Sequence, residues 1–130
     1  MTEAAKPLIA VVDDNASVRR ALRRLLRTLG MEADPFATGD ELLELLEAMP
    51  SYSPDCVILD VQLPGSSGLE IQRRLARRAL PVIVITAYDE LAVREQAISA
   101  GAVAFLRKPF SDELLLRTLR AALGDDPTGA

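Results

Sequence analysis

Residues 56–70 read CVILDVQLPGSSGLE, and this stretch decides the fold. Cys56 to Leu59 form an unbroken apolar run. Continuous apolarity, as opposed to alternation, is how a strand buried on both faces reads, because helices cover both sides of such a sheet. Asp60 follows the run. Pro64 and Gly65 then suit positions i+1 and i+2 of a type II turn, and Ser67 with Glu70 forms a capping box opening a helix expected to reach about Arg78. The unit is therefore a buried strand, a turn and a helix.

The same unit recurs on both sides. Leu8 to Val12 (LIAVV) precedes a helical pattern of Val18, Leu22, Leu25 and Leu29, stopped by Gly30. Met31 to Phe36 is a weaker strand candidate, interrupted by Pro35, which suits a sheet edge. A capping box, Thr38 to Glu41, leads into Leu42, Leu45, Leu46 and Met49. Val82 to Thr86 (VIVIT) precedes a helix expected from about Asp89 to Ala100, with Gly101 as its stop. Val103 to Arg107 (VAFLR) precedes a last helix that follows Ser111, carries Asp112 and Glu113 in its first turn, and places Leu115, Leu119 and Ala122 before Gly124. Five repetitions of strand then helix predict an α/β domain: a five-stranded parallel sheet with five helices on both faces. The domain is expected over residues 7–123, with a tail at 1–6 and a tail or linker stub at 124–130.

Composition narrows the function. The 130 residues are 49% hydrophobic and 26% charged, an ordinary globular balance. No apolar run approaches the roughly 18 residues that span a bilayer, and MTEAAKPL lacks the apolar core of a signal peptide, so a cytoplasmic address is expected with no membrane contact. The chain has no histidine, which excludes histidine metal sites and Ser-His-Asp hydrolysis. Its single cysteine, Cys56, lies in a buried run and reads as an inert thiol. A net charge of −4 makes the domain a poor partner for a nucleic-acid backbone.

Open parallel sheets bind ligands outside the carboxyl ends of their strands. There stand Asp13 and Asp14 after the first run, Asp60 after the third, Thr86 ending the fourth and Lys108 after the fifth. Any one alone is ordinary, since an aspartate after a strand is usually a loop residue or a cap. Together they make coherent chemistry. Three carboxylates in one cleft repel each other unless a cation is present, and a hard divalent ion such as Mg²⁺, with oxygen ligands, resolves that repulsion. A carboxylate can also attack phosphorus to form an aspartyl phosphate, for which positioning and charge neutralisation suffice.

The segments VVDDN, VILDVQLPGSSGLE, VIVITAYDE and AFLRKPF resemble the receiver domains of bacterial two-component response regulators, over about Pro7 to Leu123. The resemblance implies a flavodoxin-like sheet of order 2-1-3-4-5. It implies Asp60 as phosphoacceptor, with Mg²⁺ (or Mn²⁺) held by Asp13, Asp14, Asp60 and the Gln62 backbone carbonyl. Thr86, Ala87 and Lys108 would contact the phosphoryl group, and the Lys108–Pro109 peptide would be cis. Phe105 is either the aromatic that turns inward on phosphorylation or simply a core ring. Arginines line the first helix (Arg19, Arg20, Arg23, Arg24, Arg27) and the third (Arg73, Arg74, Arg77, Arg78). They read as solvated faces, with kinase docking on the first helix as the sharper alternative. The partners implied are a sensor histidine kinase, a C-terminal DNA-binding output domain outside this chain, and a second copy in a phosphorylation-promoted homodimer. Such a domain is a switch and not a turnover enzyme. Two other readings stand beside it: an aspartate-nucleophile phosphatase, which would normally show DxDxT, and a receiver-like module that no longer takes phosphate.

Overall fold

The computed structural model describes residues 6–61, 68–87 and 91–124. Five strands alternate with five helices: β1 (Leu8–Val12), α1 (Ala16–Thr28), β2 (Glu32–Phe36), α2 (Gly39–Ala48), β3 (Cys56–Asp60), α3 (Gly68–Ala76), β4 (Val82–Thr86), α4 (Leu91–Ser99), β5 (Ala104–Arg107) and α5 (Asp112–Ala122). All four ladders are parallel and the strand order is β2-β1-β3-β4-β5. The fold is the flavodoxin-like α/β arrangement.

Period-two alternation divides the sheet into two faces. Ile9, Val11, Ile58, Ile83 and Ile85 pack with Leu22 and Leu26 of α1 and Leu115 and Leu119 of α5. Ala10, Val12, Val57, Leu59 and Val84 pack with Leu42 and Leu46 of α2, Ile71 and Leu75 of α3, and Ala97 of α4. Burial on both sides is why β3 and β4 read as continuous apolar runs: every residue in them is buried. Pro35 lies in β2, at one edge of the sheet, where a missing N–H is tolerated.

The helix boundaries follow local chemistry. Asn15 caps α1, its side chain accepting from the Ser17 and Val18 N–H groups. Thr38 caps α2 by accepting from the Glu41 N–H at 3.2 Å, while its hydroxyl meets Glu41 Oε1 at 3.4 Å. Ser111 caps α5 through the Leu114 N–H. Gly30 and Gly101 follow α1 and α4 with φ of 81° and 100°. The third helix ends at Ala76, two residues before the Arg78 the sequence suggested. Ala79 takes φ 59°, and the chain folds back so that Leu80 donates to Leu75 O at 3.4 Å. An alanine does there what glycine usually does, so no sequence signal marked the stop. The second strand begins at Glu32 and not Met31, because the Met31 N–H turns back to Leu26 O at 2.9 Å. The fifth begins at Ala104, one residue later than expected. The Pro64–Gly65 turn, Ser67 and the expected helix start at Asp89 lie outside the described residues.

One helix departs from the pattern. Of the nine residues of α4 only Ala97 is buried, and Leu91 and Ile98 are 71% and 53% exposed. Where α4 meets α3, Gln72, fully buried, donates from Nε2 to Ala97 O at 2.6 Å, and its Oε1 meets no donor among the described residues. A buried unpaired acceptor ordinarily costs about 1–3 kcal/mol.

Candidate functional site

The carboxyl ends of β1, β3 and β5 converge. Asp13 continues the backbone of β1, its N–H donating to Phe36 O at 3.1 Å, and its side chain is fully buried. Asp60 is the last residue of β3 and is 6% exposed; Asp14 faces solvent. Carboxylate oxygens of Asp13, Asp14 and Asp60 lie within 4.8 Å of one another. Two buried negative charges need compensation, and Lys108 supplies part of it. Its ammonium donates to Asp13 Oδ2 at 2.6 Å and to Asp60 Oδ2 at 3.1 Å. Burial alone would push the Lys108 pKa down, but the hydrogen bonds and charges of Asp13 and Asp60 outweigh it and hold it above its ordinary value. The Lys108–Pro109 peptide is cis, and the Lys108 N–H donates to Thr86 O at 2.7 Å.

The remaining named residues surround this centre at different depths. Thr86, fully buried, ends β4, and Ile85 before it is in register with Asp60. Ala87 is exposed beside it. Phe105 is half-buried on β5, in register with Val84; its ring packs on the α2–α3–α4 side and lies 5.9 Å from the Arg94 guanidinium carbon. The Gln62 carbonyl lies outside the described residues.

Two residues had been missed in this role. Arg19 is half-buried, and its Nη1 donates to the Asp13 carbonyl at 2.8 Å, so it is not part of the solvated face. The Asn15 N–H donates to Asp13 Oδ1 at 2.9 Å while its side chain caps α1. Asn15 carried a legible signal, a capping residue before a helical pattern. Arg19 carried none, being one arginine among five. Arg20, Arg23, Arg24 and Arg27 do face solvent.

The donor set suits a hard divalent cation. Three carboxylates against one ammonium leave two net negative charges in a small space, and oxygen donors are what Mg²⁺ takes.

Residues 9–120 match the family model described as the response regulator receiver domain, and the chain belongs to that family. Members are regulatory switches of two-component signalling. Nodulation protein W of Bradyrhizobium diazoefficiens is 41% identical over 128 residues, covering 96% of this chain and 55% of that protein. The transcriptional regulatory protein TdiR of Thauera aromatica is 38% identical over 117 residues, covering 88% and 50%. The crystal structure of a response regulator receiver protein from Burkholderia phymatum superposes with a TM-score of 0.85 at 63% identity, covering 92% of this chain and 96% of that one. The chain spans about half the length of these curated relatives.

Proposed function

We propose that residues 7–123 form a phosphoacceptor switch in which Asp60 receives a phosphoryl group from a histidine kinase or a small acyl phosphate. The observation that carries this reading is the buried Asp60 carboxylate, held between the Asp13–Asp14 pair and the Lys108 ammonium at 3.1 Å. An Asp60 oxygen forms the new O–P bond as the donor's N–P or O–P bond breaks, and the leaving imidazole or acetate departs with the electron pair. Lys108 balances phosphoryl charge, and the Thr86 hydroxyl and the backbone at Ala87 lie on the adjoining strand end to contact phosphoryl oxygens. Asp13, Asp14, Asp60 and the Gln62 carbonyl would hold Mg²⁺ (or Mn²⁺), which supplies charge neutralisation for the transferring group.

A groove of about 850 Å³ leads away from Lys108 between α1 and the segment that opens α5. Its lining includes Ala21, Leu25, Pro109 and Phe110, with Arg24 beside them. This groove supports docking of a kinase helix against α1, next to the acceptor. The relatives that are transcriptional regulators support an output domain C-terminal to this one.

Incubation with acetyl phosphate and Mg²⁺ tests the acceptor. One phosphoryl group, labile at alkaline pH, is expected; EDTA blocks it and Asp60→Asn abolishes it. Undiminished labelling of Asp60→Asn, or steady turnover of a phosphomonoester, would refute the assignment.

A further inference from the structure

We infer that Gln72 is the anchor that fixes the C-terminal half of α4 to α3, and so sets how far the signalling face can move. Helices α1, α2, α3 and α5 each bury at least two residues beneath the sheet's faces, whereas α4 buries only Ala97. An alanine inserts one methyl group and gives little apolar hold. Two polar contacts supplement it. Arg94 lies over the Phe105 ring at 5.9 Å, tying α4 to β5, and Gln72 Nε2 reaches Ala97 O at 2.6 Å, tying α4 to α3.

These contacts differ in what they can do. Phe105 is exposed enough to move, and its displacement would remove the ring from Arg94. Gln72 is fully buried inside α3 and has no such freedom. Ala97 O already accepts from the Ala102 N–H at 3.1 Å at the turn closing α4. The Gln72 bond is thus not required to satisfy that carbonyl, and its effect is to locate the helix. Gln72 Oε1 has no partner among the described residues in the same position. An apolar side chain of similar length would fill the site without that unpaired acceptor, so the contact acts on position more than on stability. When the Phe105 end of α4 is released, the Gln72 end stays, and the helix turns about Ala97.

The anchor rests on the contact between α3 and α4, and its link to signalling rests on the switch reading above. Hydrogen exchange separates the two. Gln72→Met keeps length and removes the donor. It is expected to keep the fold, to leave acetyl phosphate labelling of Asp60 unchanged, and to speed exchange of the 95–102 amides about five- to tenfold while the β3 and β4 amides stay protected. Adding acetyl phosphate and Mg²⁺ should leave the 95–102 amides of the native protein protected and speed their exchange further in the variant, where no anchor remains once the Phe105 end is released. Native-like α4 exchange in Gln72→Met, or an even loosening of the whole domain, overturns the anchor. If Gln72→Met does not fold, Gln72→Leu takes its place, and failure of both assigns Gln72 to core packing and overturns the anchor as well. Absence of labelling in the native chain would count against the phosphoacceptor reading and leave the exchange comparison intact.

Discussion

At the level of single residues, the acidic centre is a place where stability is given up. Asp13 and Asp60 are buried with one ammonium between them, and Asp14 adds a third carboxylate within 4.8 Å. Removing the exposed charge should relieve repulsion without opening a hole. Asp14→Asn is expected to raise stability in EDTA by up to roughly 1 kcal/mol, while the stabilisation that Mg²⁺ confers is lost. Urea melts with and without the ion check both halves. Cys56 makes a different point. Burial pushes its thiol from the ordinary 9.0 up to about 12. The unfolded thiol therefore releases its proton first as pH rises, so this residue's contribution to stability is intact below 9 and is lost between 9 and 12. At pH 8 a disulfide reagent should label Cys56 only through transient opening, far more slowly than an exposed thiol and faster as urea is added; labelling as fast as in the unfolded chain would contradict that burial.

Among the elements, the strands and four of the helices agree with the apolar pattern, and the exceptions have physical causes. Gly68 begins α3 where a Cβ would meet the Val61 backbone, so the chain leaving β3 and the start of α3 pass closely just beyond Asp60. At the other end of α3, Ala79 holds φ 59°, a conformation that disfavours a side chain. Ala79→Gly should therefore stabilise the domain by about 0.5–1 kcal/mol, seen as a higher melting temperature with unchanged acetyl phosphate labelling. A loss of stability would mean that the left-handed turn is not maintained in solution. Helix α4 was legible as a helix from its length and from Gly101, but its weak attachment was not. That weakness depends on which of its apolar residues find a partner, and Leu91 and Ile98 find none among the described residues.

Taken whole, the molecule places the Asp60 end of β3, the Thr86 end of β4 and Phe105 of β5 on three adjacent strands. A phosphoryl group on Asp60 adds charge and acceptor oxygens beside Lys108, and a bias of a few kcal/mol suffices to exchange two packings. Phosphorylation is accordingly expected to promote a homodimer through the surface of α4, β5 and α5, where Arg94, Arg107 and Asp112 are exposed. Sedimentation with and without a phosphate mimic checks this. A monomer at high concentration with the mimic bound would end the idea, and Thr86→Ala should leave Asp60 labelled but weaken the dimer.

By itself the amino-acid sequence determined the fold class, the two-sided burial of β3 and β4, the edge place of the Pro35 strand and the chemistry gathered at the strand ends. Those features are carried by local patterns: continuous apolar runs, caps and the residue after each run. The strand order came from family resemblance, because nothing in the spacing orders five parallel strands. Only the tertiary structure decided that Asp13 and Asp60 are buried on one ammonium and Asp14 is not, that Arg19 turns in to the Asp13 carbonyl while its neighbours face water, and that Gln72 meets Ala97 across two helices. Each is a contact between residues distant in the chain or a choice among like residues, and burial at such a point depends on what the rest of the fold packs against it.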